Sequence, residues 1–164
     1  MENFFKTYEI KNYASFDKTQ NLMSIMGTII PYSDLDCFEF HEEIEVGTET
    51  DFKKELYQYI FAPVIPITEI LDENSTKRGV YICTELSANI WIKNVEKPIY
   101  ISFLTKGKPL KIKSDIYKEK HNSYEDMQES LNKVMFKLYG SDSKNILEQN
   151  LKKRKQTTNN DNHL

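Results

Sequence analysis

Cysteine is scarce in this sequence, which has only Cys37 and Cys83 among its 164 residues. Two cysteines cannot form a disulfide framework, and no CxxC pair is present to build a zinc knuckle. The first five residues carry an acid and no basic stretch, so a secretory signal is not expected. These features predict an intracellular, cytoplasmic protein with reduced thiols.

Glycine and proline are also scarce, at five residues each. The scattered glycines form neither GxGxxG nor GxxxxGK, and no GxSxG elbow occurs, so phosphate loops and serine hydrolase motifs are excluded. The longest apolar run, over residues 60–67, contains two prolines. A membrane helix needs about 20 residues. The sequence therefore predicts no cofactor, no membrane association and no recognisable enzyme.

Arginine is nearly missing: of the 22 basic residues, only Arg78 and Arg154 are arginines. Arginine is the side chain that contacts phosphate and guanine with two parallel hydrogen bonds, whereas lysine is a point charge. The composition therefore argues against sequence-specific DNA recognition.

The charges that are present are unevenly distributed. Residues 1–76 have a net charge of −10 and residues 77–164 have a net charge of +7, which leaves −3 for the whole chain. Two explanations are open. The two halves can neutralise one another within the fold, or a charged face can bind an oppositely charged partner.

Hydrophobic periodicity predicts an α+β fold, in which an antiparallel β-meander packs against one or two C-terminal helices and follows an N-terminal strand-helix segment. A single globular domain is expected over residues 1–151, and a basic, polar, disordered tail over residues 152–164. The predicted strands span residues 22–30 (with Gly27 as a bulge), 37–46, 80–85, 89–93, 99–104 and 110–113. The predicted helices span residues 51–62 and 124–139, with a second short helix from Ser143. The longest helix carries the apolar stripe Tyr124, Met127, Leu131, Val134, Met135 and Leu138.

The strand predicted at residues 37–46 has an acidic outer face. The residues expected to contact a partner are Asp36, Glu39, His41, Glu43 and Glu45. Crowded carboxylates repel one another, and a basic protein partner would relieve that repulsion. Two other interpretations stay open: a solvated surface, and a divalent-metal site at Glu39, His41 and Glu43 completed by residues from elsewhere in the fold.

A lysine-rich hairpin is the second candidate surface. Its residues are Lys106, Lys108, Lys111 and Lys113, with Trp91, Tyr100 and Tyr117 nearby in the sequence. Lysines interleaved with aromatic side chains can bind a nucleic-acid backbone and stack on bases. The alternative interpretation is a solvated sheet face on which lysines protect an edge.

The sequence therefore favours a non-enzymatic protein-binding module that docks through its acidic strand face. Such a module would be a small inhibitor, an immunity-like neutraliser or an assembly component. The second hypothesis is a nucleic-acid-binding accessory protein that uses the lysine-rich hairpin. The third is a metal-dependent enzyme at Glu39, His41 and Glu43.

Overall fold

A computed structural model describes residues 7–48, 79–105 and 108–161. Both sheets and helices are present, which confirms the predicted α+β class. The chain divides into two compact units, each of which is described by itself. Unit 1 comprises Met1–Phe40, Ala88–Ile101 and Ser123–Leu164, and unit 2 comprises His41–Ser87 and Ser102–Asn122. The helix predicted at 51–62 lies outside the described residues, and the single-domain organisation stays a prediction.

The first sheet is an antiparallel meander near the start of the chain. Its strands, in spatial order, are β1 (Thr7–Ile10), β2 (Ala14–Asp17), β3 (Leu22–Ile25) and β4 (Thr28–Pro31). The prediction of one bulged strand over residues 22–30 is wrong, because Ile25 pairs with Thr28 across a two-residue turn. Met26 and Gly27 both adopt positive φ, at 50° and 86°, which is the conformation that tight hairpin turns require.

The second sheet contains two long strands and two short ones. They are β5 (Leu35–Thr48), β6 (Gly79–Ile92), β7 (Ile99–Ser102) and β8 (Leu110–Lys111). Their order is β5-β6-β7, and β8 pairs antiparallel with β6. The sequence predicts separate strands at residues 80–85 and 89–93. That division is wrong, since Ser87 and Ala88 between them are buried inside the single strand β6. Their small side chains fit a buried strand position, so the strand continues.

The described residues include two α-helices, α1 (Asp115–Tyr139) and α2 (Ser143–Asp161). α1 begins earlier than the predicted 124, because the Ser114 hydroxyl accepts a hydrogen bond from the Tyr117 backbone N–H at 3.2 Å and caps the helix there. The start of α2 at Ser143 is confirmed. Residues 152–161 were expected to be disordered, but they form the last turns of α2. Neither helix is sufficiently long and apolar to cross a membrane.

The apolar stripe of α1 lies in the core of unit 1. Met127, Leu131 and Met135 are fully buried, and Leu138 is half-buried. This confirms the stripe that the helical spacing predicts. The same core contains Met23 and Ile25 of β3. Burial of these side chains is the main source of stability in unit 1.

Candidate functional site

The acidic strand predicted from the sequence is β5, and its first carboxylate is paired within unit 1. Arg154 of α2 donates its Nε–H to Asp36 Oδ2 at 2.7 Å, and both side chains are largely buried. The guanidinium also donates to the backbone oxygens of Val95 at 2.6 Å and Ile92 at 2.9 Å. Asp36 is therefore part of an internal network, and the prediction that it contacts a partner is not supported by its position.

The second carboxylate has a cation partner as well. Lys155, also on α2, donates to Glu39 Oε1 at 2.6 Å. Together with the Arg154 pair, this contact shows why residues 152–155 are helical and not a disordered tail. It also shows that part of the charge split is neutralised internally, since C-terminal cations pair with N-terminal acids inside unit 1.

The remaining residues of the predicted face lie in unit 2. We call His41–Val46 of β5 the outer acidic segment. His41, Glu43 and Glu45 are exposed, and neither Glu43 nor Glu45 forms an ion pair with another described residue. Two apolar side chains of this segment are exposed as well: Ile44 at 44 % and Val46 at 68 %. Within the described part of the chain, Glu43 and Glu45 therefore have no ion pair, and Ile44 and Val46 are exposed.

A residue of β6 joins this segment. Glu85 Oε2 lies 3.4 Å from His41 Nε2. One ligand-type atom from each of His41, Glu43 and Glu85 lies within 4.8 Å of the others. The sequence indicated that Glu85 is on a strand, but it did not show that this strand, β6, pairs with β5. The metal site predicted at Glu39, His41 and Glu43 is therefore not formed as such. The residue that lies close to His41 and Glu43 is Glu85 and not Glu39.

Glu42 points into a separate cluster of unit 2. The Tyr117 hydroxyl donates to Glu42 Oε1 at 2.7 Å, and His121 Nε2 lies 3.5 Å from the same oxygen. The Tyr117 and His121 rings lie 5.3 Å apart, one turn along α1. This explains why an acid interrupts the otherwise apolar row of β5: its carboxylate is held by two side chains of α1.

Neither cysteine thiol is activated as a nucleophile. Burial raises the pKa of Cys37 to about 12 and that of Cys83 to about 11. The Cys83 thiol donates to the backbone oxygen of Glu85 at 3.3 Å. Because the thiolate is the reactive form, both side chains are inert near neutral pH.

The lysine-rich hairpin is only partly described. Lys106 lies outside the described residues, Lys108 and Lys113 are exposed, and Lys111 is half-buried in β8. Lys111 pairs with Ile82 in the sheet. The three described lysines therefore differ in exposure, and the role of the hairpin in binding nucleic acid stays a prediction.

A groove of about 1250 Å³ in unit 1 was not predicted from the sequence. It lies between the first sheet and both helices, with Phe16, Val134 and Leu147 among its lining residues. Its rim is largely paired internally: Lys133 contacts Glu129 at 2.9 Å, and Lys137 donates to the backbone oxygen of Lys18 at 3.0 Å. In the outer acidic segment, Glu43 and Glu45 form no ion pair with another described residue, so this segment is the stronger candidate site.

Comparisons with protein-family models, curated proteins and solved structures find no match to this chain. The function is therefore argued from the chemistry of the described residues.

Proposed function

We propose that this chain is a non-enzymatic protein-binding module that docks on a basic partner protein through its outer acidic segment. It would act as a small inhibitor, an immunity-like neutraliser or an assembly component. The observation that carries the proposal is that Glu43 and Glu45 are exposed on one face of β5 with no ion pair to another described residue, while Ile44 and Val46 are exposed on the other face.

The charge of this segment supports a basic partner. The acids at the start of β5 pair with Arg154 and Lys155 of α2, whereas Glu43 and Glu45 form no ion pair with another described residue. A basic protein surface would supply the cations that the described residues do not. Complementary charge of this kind accelerates encounter and selects the partner more than it adds affinity.

The apolar side chains support a protein partner in particular. Ile44 and Val46 offer exposed apolar area on the face of β5 opposite to Glu43 and Glu45, because side chains alternate along a strand, and a partner that contacts both faces of this strand would bury it. A protein interface typically combines an apolar centre with a polar rim. A nucleic-acid backbone would instead be repelled by Glu43 and Glu45, because phosphates carry the same sign of charge.

The compartment we propose is the reducing cytoplasm. Cys37 and Cys83 are both free thiols and both buried. Free thiols are typical of cytosolic proteins. A partner encountered there is accordingly an intracellular basic protein.

The proposal is tested by charge reversal with Glu43→Lys and Glu45→Lys in one variant. Both side chains are exposed, so the free energy of unfolding should change by roughly 0.5 kcal/mol or less. The tagged chain is immobilised and exposed to nuclease-treated extract of its native host. We expect one stoichiometric basic protein on the wild type and at least tenfold less of it on the variant, with the wild type losing capture as salt is added.

A matched control reverses two exposed acids elsewhere, Glu9→Lys and Asp161→Lys, with the same change in net charge. The control should capture the partner as the wild type does. If both double variants lose capture equally, net charge is responsible and the outer acidic segment is not the site. If capture disappears after nuclease treatment alone, the nucleic-acid hypothesis based on the lysine-rich hairpin replaces this one.

A further inference from the structure

His41, Glu43 and Glu85 bring three metal-ligating side chains together on two neighbouring strands. His41 and Glu43 occupy alternate positions of β5, and Glu85 lies on β6. One donor atom from each lies within 4.8 Å of the other two. We propose that these residues form a binding site for a zinc-class divalent ion, with three protein ligands and an open fourth position.

The spacing of two of the donors already suits such an ion. His41 Nε2 and Glu85 Oε2 are 3.4 Å apart. Tetrahedral zinc, with metal–nitrogen and metal–oxygen bonds of about 2.0 to 2.2 Å, holds neighbouring ligand atoms about 3.4 Å apart. An ion can therefore bridge this pair without movement of either strand. Glu43, an exposed and flexible side chain, closes the third side by changing its rotamer.

A buried hydroxyl orients one of the ligands. Ser87 is only 3 % exposed, and its hydroxyl donates to Glu85 Oε1 at 2.9 Å. This hydrogen bond occupies one carboxylate oxygen and leaves Oε2 facing His41. Partners that hold a ligand in this way are usual around protein metal sites, where their loss weakens binding about 10- to 100-fold.

The backbone around the site is also fixed. The Thr84 hydroxyl, on β6, donates to the backbone oxygen of Glu43 on β5 at 3.4 Å. The two strands that carry the ligands are thus tied together next to the site. The backbones of paired strands keep their separation, so the entropy lost when an ion binds is confined to the side chains, chiefly that of Glu43.

The donor set selects the class of ion. One imidazole nitrogen with two carboxylate oxygens suits zinc and similar first-row ions, whereas magnesium and calcium prefer oxygen ligands alone. The His41 and Glu85 side chains are 58 % and 40 % exposed. Water, or a group from another molecule, can therefore fill the fourth position. The ion would neutralise charge on the outer acidic segment, but the site does not depend on the proposed docking function.

Zinc binding by the isolated full chain tests the site without any partner. Isothermal titration with zinc chloride, in competition with a chelator of known affinity, should show one site in the wild type. His41→Ala and Glu85→Gln should each weaken it at least tenfold, and Ser87→Ala should weaken it about 10- to 100-fold. Cobalt should give the intense visible absorption of a four-coordinate ion, and magnesium at millimolar concentration should not compete.

Glu45→Gln is the matched control, because it removes a carboxylate from the same strand outside the trio. It should leave zinc affinity within about twofold. Circular dichroism of each variant checks folding, and the exposure of His41 and Glu85 makes unfolding of those two variants unexpected. Zinc affinity that is unchanged in His41→Ala, or equally reduced in Glu45→Gln, would show diffuse binding to surface acids and overturn the proposal. Absence of a zinc isotherm in the wild type would overturn it as well.

Discussion

Arg154 and Asp36 form an ion pair with a 2.7 Å Nε–Oδ2 distance, although 117 residues separate them in the sequence. The pair links the last turns of α2 to the start of β5 within unit 1. It accounts for two differences from the sequence-based expectations. Residues 152–161 are helical, and the Asp36 carboxylate binds a side chain of its own chain. Asn150 reinforces the same contact by donating to the Asp36 backbone oxygen at 3.1 Å.

Removal of the Arg154 side chain should destabilise unit 1. Arg154→Ala removes the guanidinium donor from the largely buried Asp36 carboxylate and from the backbone oxygen of Val95, while the backbone oxygen of Ile92 keeps its hydrogen bond from the Val95 N–H. Loss of hydrogen bonds to charged groups costs about 1.5 to 3 kcal/mol each, so the free energy of unfolding in urea should fall by at least that amount. Lys153→Ala, an exposed neighbour on the same helix, should change it by less than about 0.5 kcal/mol. Equal effects of the two variants would show that the Arg154 network does not stabilise the fold.

The stripe of α1 provides a second test of the fold. Leu131 is fully buried, so Leu131→Ala should cost roughly 2 to 5 kcal/mol by lost burial and the cavity left behind. Phe136→Ala removes a larger side chain from the same helix, but Phe136 is 63 % exposed and should cost far less. Urea denaturation of both variants measures the difference. A smaller loss for Leu131→Ala than for Phe136→Ala would place the opposite face of α1 in the core.

The buried thiols predict a specific alkaline sensitivity. The pKa of each thiol rises from 9.0 to about 12 for Cys37 and to about 11 for Cys83 because burial disfavours the thiolate. The folded state holds these protons more tightly than the unfolded state does. The resulting stabilisation is complete below pH 9 and is lost progressively between pH 9 and about 11 for Cys83 and between pH 9 and about 12 for Cys37.

Urea denaturation between pH 8 and pH 11 measures this loss. The free energy of unfolding should fall with pH more steeply in the wild type than in the double variant Cys37→Ala/Cys83→Ala. A thiol reagent at pH 8 should label both cysteines only after unfolding. Equal slopes in the two proteins, or rapid labelling of the native protein, would show that the thiols are accessible to solvent.

Sequence periodicity predicted local structure well where one face of an element is buried. The stripe of α1 from Tyr124 to Leu138 is the clearest example. The break predicted between strands 80–85 and 89–93 is wrong, because the small residues Ser87 and Ala88 suit a turn and a close-packed strand equally well. The helical end of α2 was missed for another reason: the acids that pair with Arg154 and Lys155 are more than 100 residues away in the sequence.

The candidate site was also predicted only in part from the sequence. Alternation along β5 placed His41, Glu43 and Glu45 on one exposed face. It could not show that Asp36 and Glu39 are neutralised, because that depends on tertiary contacts with α2. Glu85 was missed because strand order is not encoded in the periodicity of either strand.

Photo-cross-linking in living host cells tests docking by the outer acidic segment most directly. A benzophenone amino acid replaces Val46, which is 68 % exposed, and in a control replaces Ile116, which is 58 % exposed on α1 of the same unit. We expect one basic protein cross-linked at position 46, no such adduct at position 116, and loss of the adduct when Glu43→Lys and Glu45→Lys are added. An adduct at position 46 that survives both charge reversals, or the same adducts at both positions, would show that the outer acidic segment is ordinary solvated surface.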